Sequence, residues 1–229
     1  MREVLRQNND RYKIQSQHLR SHFRDSDVQP GSRFLISTRD PVRRLISAFY
    51  FVFASGKHSG SLGRFYDCFQ NVSAFAEALE DSGECGTEAQ NALGDGTRDG
   101  CDRLGHDKDH QRNHVCKGFQ YHLSLIMSAL EDPTRNSSVY LTRQESLQHD
   151  CDGLRTWLGD DHFDARLPDE HEASSADRCS KTGLQCSTEI SEVGMHRLRN
   201  ALQPEYDILE RLERVADNGV FRPGLASRE

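Results

Sequence analysis

No stretch of this sequence is apolar enough to cross a bilayer. A spanning helix needs roughly 18 or more apolar residues; the longest candidate, Leu45 to Ala54, has only about half that. The first 30 residues are too polar for a secretory signal. The seven cysteines never stand in C-x-x-C spacing, which argues against a zinc site, so no metal ligands are expected. No glycine occurs before Gly31, so no Gly-rich phosphate loop follows an early strand. Lysine is scarce, with 5 against 24 arginines. Arginine suits two-pronged grips on phosphate or sulfate, although codon bias produces the same ratio. Internal repeats are absent.

What remains is enough for one substantial domain. The 229 residues are 35% hydrophobic and 28% charged, as expected of a polar, soluble chain with a real core. Charge is uneven. Residues 1–50 carry 10 Lys/Arg against 5 Asp/Glu, and residues 51–229 carry 19 against 31. The basic side therefore surrounds the stretch RFLISTRDPVRRLISAFYF, residues 33–51. "CSKTGLQC", Cys179 to Cys186, closes a short Gly-containing loop and suits a hairpin disulfide. Two glycosylation sequons are present, Asn71-Val72-Ser73 and Asn136-Ser137-Ser138. Together with the cysteines they favour a secretory lumen. The odd cysteine count leaves at least one thiol unpaired or bonded to another chain.

Residues 1–9 read as the tail of a helix. Residues 12–17 alternate as a strand, and Pro30-Gly31 marks a loop. Residues 33–38 read as a buried strand and 137–143 as a third strand. Asp40 is a good N-cap and Pro41 fits the first helical position. Val42, Leu45, Ile46, Phe49, Tyr50 and Phe53 then form an apolar stripe at helical spacing. Further helices are predicted over 71–80, around Val115 to Leu130, around Leu147 to Leu158, and over 189–216 with a break at Pro204. Residues 82–110 are Gly/Asp-rich and read as a mobile insertion; residues 160–187 read as irregular. Strand and helix alternating with long crossovers predict an α/β fold with a parallel sheet flanked by helices. Ligands bind such sheets beyond the carboxyl ends of the strands.

Arg39 falls at such an end. The helix opening at Pro41 is expected to offer free N–H groups and a positive dipole end. Ser47 lies two turns along, on one face with Arg43. A phosphate between Arg39 and Ser47 would take a charged fork from one and a hydroxyl from the other. Alternatively, Arg39 pairs with Asp40 or with a carboxylate elsewhere, and Ser47 merely packs. Arg44 reads as a solvated surface charge.

STRDPVRRLISAFYF, residues 37–51, resembles the 3′-phosphate-binding motif of sulfotransferases that use 3′-phosphoadenosine 5′-phosphosulfate (PAPS). In that family a strand ends in Arg-Asp/Asn-Pro, with a serine eight residues after the arginine; here these are Arg39 and Ser47. The form is most similar to Golgi carbohydrate sulfotransferases, including the uronosyl 2-O type. VYLTRQESLQHDCDGLRTWLG and LRNALQPEYDILERL resemble a later strand–helix pair and the C-terminal helix of the family. The resemblance implies a nucleotide-kinase-like fold over residues 1–229, PAPS as cofactor and a carbohydrate acceptor. It implies neither a nucleic-acid partner nor any attachment to the Golgi membrane except by an anchor outside this sequence. His18, ending YKIQSQHL, matches a strand-end histidine that serves as general base. His110, His114 and His122 are weaker rivals, and Glu145 is the next candidate base.

The family's loop around the 5′-phosphosulfate has no counterpart here, nor has its membrane anchor. Both would precede residues 1–9, so the sequence is expected to begin late, without its first strand. Two other functions compete. One is a non-catalytic binder of sulfated or phosphorylated ligands; the other is a nucleotide kinase-like phosphotransferase.

Overall fold

The computed structural model describes residues 29–53, 61–94, 113–159 and 186–216. Among these the chain is mixed α/β, with two strands and nine α-helices. In order they are β1 (Arg33–Thr38), α1 (Pro41–Phe53), α2 (Ser61–Cys68), α3 (Val72–Ala78), α4 (Glu84–Leu93), α5 (Asn113–Cys116), α6 (Phe119–Glu131), β2 (Ser138–Arg143), α7 (Leu147–Leu158), α8 (Glu192–Ala201) and α9 (Gln203–Val215). The chain divides into two compact units. The first comprises Met1–Arg39, Leu125–Glu170 and Leu209–Glu229; the second comprises Asp40–Ser124 and His171–Ile208. The strand expected at 12–17 lies outside the described residues, as do His18, His110 and Cys179.

In the first unit β1 and β2 pair in parallel, from Arg33 opposite Ser138 to Thr38 opposite Arg143. Gln29-Pro30-Gly31-Ser32 sets the approach to β1. Pro30 fixes the second position of a tight turn, Gly31 takes φ +76°, and Ser32 N donates to Gln29 O at 3.0 Å. Val139 to Thr142 are buried without interruption, as a strand covered on both faces requires. β1, expected to be buried, is only half-buried over Phe34–Ile36, and Ser37 is exposed. Tyr140, Cys151 and Leu154 form a small core, with Leu35, Leu147, Trp157 and Leu158 packed on it. Arg33 lies over the Trp157 ring, 5.6 Å from its centroid.

The turn after β2 is held by Asp150. Its carboxylate accepts from Arg143 N at 2.6 Å, Arg143 Nη2 at 2.8 Å and Ser146 Oγ at 3.1 Å. The Asp150 carbonyl accepts from Tyr140 Oη at 2.8 Å. Burial pushes this carboxyl up, but the Arg143 and Ser146 hydrogen bonds outweigh it, and the net shift is below the usual carboxylate range.

The second unit is built around the apolar stripe of α1. Val42, Leu45, Phe49 and Tyr50 are buried, one to two turns apart. Phe49 meets Phe65, Tyr66 and Phe75 with ring centroids 5.6–6.0 Å apart. Tyr66 Oη donates to Phe49 O at 3.1 Å. The stretch expected to be a mobile insertion holds α4. Its Gly86, Ala89 and Leu93 recur at helical spacing and are buried, and a disulfide joins Cys85 to Cys68 at the end of α2. Three small or single apolar side chains made too weak a periodic signal to read as a helix. Asn71 caps α3, accepting from Ala74 N at 2.9 Å. The break in the final helical region falls at Leu202, with Pro204 in the first turn of α9.

Candidate functional site

Asp40 caps α1 as expected: its Oδ1 accepts from Arg43 N at 2.9 Å, and its carbonyl accepts from Arg44 N at 2.8 Å. The helix start does not offer the free donors expected of it. Pro41 has no N–H, Val42 N–H is taken by the Tyr206 oxygen, and Asp40 takes the next two. Tyr206 Oη donates in turn to Asp40 Oδ2 at 3.1 Å. Burial, and then the Asp40 charge, hold the Tyr206 hydroxyl above its ordinary pKa, so it stays a donor. The Asp40 carboxylate also meets the positive end of the helix dipole. An anion here would rely on side chains.

Three such side chains are free. Arg39, half-buried, makes no side-chain hydrogen bond or ion pair among the described residues, and does not pair with Asp40. The guanidinium of Arg43 is exposed and equally unengaged, and Ser47, half-buried on the same helix, has no hydroxyl partner among them. Arg39 is the last residue of the first unit, whereas Arg43 and Ser47 belong to the second.

Arg44 is not the solvated charge its position suggested. Its side chain is 16% exposed and grips Glu205, itself 5% exposed, through Nε–Oε2 at 3.1 Å and Nη2–Oε1 at 2.9 Å. Burial pushes the Glu205 carboxyl up, against the pull of Arg44. Gly118 leaves room for that carboxylate, since a Cβ there would lie 1.4 Å from Oε1. Glu205 and Tyr206, adjacent on α9, thus hold two residues of the first turn of α1. One signal could have revealed them. Leu202, Glu205, Leu209 and Leu212 fall in one helical phase, and a carboxylate inside a buried stripe calls for a buried cation.

The other expected residues fall elsewhere. His18 and His110 lie outside the described residues. His122 packs edge-on against Tyr121, with ring centroids 4.9 Å apart. Glu145 is exposed in a short 3-10 turn after β2, in the first unit. Thr38 and Thr142, near the carboxyl ends of β1 and β2, are buried, and Thr142 Oγ1 has no hydrogen-bond partner among the described residues. The bridge expected between Cys179 and Cys186 involves a residue outside the described set, although Cys186 is disulfide-bonded, as is Cys116. Cys151 is a buried free thiol. Among the described residues no helix is long and apolar enough to cross a membrane.

Compared with family models, curated proteins and solved structures, the chain gives no match.

Proposed function

We propose that this chain is a PAPS-dependent sulfotransferase acting on a carbohydrate hydroxyl, with Arg39 and Ser47 contacting the 3′-phosphate. The supporting observation is the segment 33–51. A strand ends at Thr38, a helix starts at Pro41, and neither the Arg39 guanidinium nor the Ser47 hydroxyl has a partner among the described residues. A guanidinium can fork onto a phosphate while a serine hydroxyl donates to a third oxygen. The finer fold in this reading is the nucleotide-kinase-like plan of sulfotransferases, and the compartment is the Golgi lumen. His18 is the proposed base for the acceptor hydroxyl. The oxygen attacks sulfur as its proton passes to the imidazole, and adenosine 3′,5′-bisphosphate leaves.

The test is calorimetric titration with adenosine 3′,5′-bisphosphate. Arg39→Ala is expected to weaken binding by about 2–3 kcal/mol, the scale of a charge-assisted hydrogen bond. Equal affinity in wild type and variant would remove Arg39 from the site. Binding without transfer from PAPS to any carbohydrate would select the non-catalytic reading instead.

A further inference from the structure

The two sequons meet different fates in the fold. At the first, Asn71 Oδ1 is used to cap α3, and the residue is half-buried. Ser73 Oγ, the hydroxyl a transferase must recognise, accepts from Ser191 N at 3.0 Å and donates to Glu77 Oε1 at 2.9 Å. Ser191 Oγ also donates to Glu77 Oε1, at 2.6 Å. Tyr50 Oη reaches Ser187 O at the other end of this strap and accepts from Val72 N at 3.3 Å. Residues 187–191 therefore lie against the sequon and share a small polar cleft with it.

The second sequon is open. Asp132 caps a 3-10 turn over Pro133–Arg135, and the chain then reverses at Asn136 with φ +49°. Asparagine tolerates this left-handed conformation better than most residues. Asn136 is exposed, as are Pro133 and Thr134 before it, and its side-chain amide makes no hydrogen bond among the described residues. Ser138, the recognition residue, opens β2 with its backbone tied to Ser32 O at 2.9 Å, while its hydroxyl has no partner among the described residues. A glycan on Asn136 would leave directly into solvent, as a bulky surface modification requires.

We propose that Asn136 is an N-glycan acceptor and that the strap 187–191 closes the Asn71 sequon in the folded molecule. Asn136 Nδ2 bonds to the anomeric carbon of an oligosaccharide carried on a lipid pyrophosphate. The carbon–oxygen bond to the pyrophosphate breaks, the lipid pyrophosphate leaves, and one amide proton is released. The Cys68–Cys85 disulfide belongs to the same oxidising compartment in which this transfer occurs. The proposal shares only that compartment with the sulfotransferase reading and does not depend on PAPS.

The test delivers the full chain to the secretory lumen of a eukaryotic host behind a cleavable signal. N-glycans are then released enzymatically in heavy-oxygen water, and the peptides are weighed. Asn136 is expected to return as labelled aspartate, with Asn71 unlabelled. Ser138→Ala, which leaves Asn136 in place, is expected to abolish both the label and the glycosidase-sensitive gel shift. Asn136→Gln should do the same without touching β2. An unlabelled Asn136 in the folded, disulfide-bonded product overturns the proposal. Label at Asn71 overturns the closure of that sequon.

Discussion

Arg44 shows how far a residue's context can reverse its apparent role. In the sequence it is one of several arginines beside a proposed anion site; in the fold it neutralises Glu205. Removing one member of a buried ion pair leaves the other charge without its partner, at a cost of about 3–5 kcal/mol. Arg44→Ala is expected to lose that much in urea denaturation, with Arg43→Ala as a control close to wild type. A loss under about 1 kcal/mol would place the pair among surface ion pairs. Arg39 has the opposite standing. Its neighbour Asp40 is already occupied by Arg43 N and Tyr206, so no local carboxylate claims it.

At the scale of elements, α4 is the clearest case of tertiary support for a weak helix. Its apolar content is low, and the helix is short enough to be marginal alone. It is held by Ala89 and Leu93 in the core, by the close approach of Gly86 to the Asp81 backbone, and by the bond between Cys85 and Cys68, 17 residues apart. Closing a loop of that length stabilises a fold by about 3 kcal/mol, chiefly by restricting the unfolded chain. Cys85→Ser is therefore expected to lower the melting temperature in calorimetry and to speed amide exchange in α4 before other helices. Unchanged exchange there would mean that packing alone holds it. α1 rests on a stronger periodic signal and appears where its stripe predicts.

For the molecule as a whole, acid stability turns on carboxylates shifted in opposite directions. Asp150 titrates below its ordinary value. Its contribution is complete above the unfolded pKa of about 3.9 and is lost as pH falls from there through the folded value. Glu205 is raised by burial, so its contribution is complete below about 4.3 and declines as pH rises through its folded value. Asp150→Asn is expected to be less stable near neutrality and to show a flatter loss of stability between about pH 5 and 3. Urea midpoints measured across that range check it. An acid slope as steep as wild type would assign the acid sensitivity to other groups.

The sequence by itself determined the strand at 33–38, the strand read at 137–143 and found at 138–143, the parallel pairing of an α/β plan, and the cap at Asp40. Each rests on neighbouring residues: β-branched and aromatic runs, a 3.6-residue stripe, or an aspartate before a proline. Arg39 and Ser47 were singled out by their places around the strand–helix hinge together with the resemblance of residues 37–51 to a phosphate-binding motif. Only the tertiary structure decided that Tyr206 and Glu205, more than 160 residues away, occupy the first turn of α1. It alone decided that Cys85 bridges to Cys68 and that α4 forms. Hydrogen-bond donors, buried charges and thiols find their partners by proximity in space, and the period of a local pattern carries no record of which distant residue will arrive there.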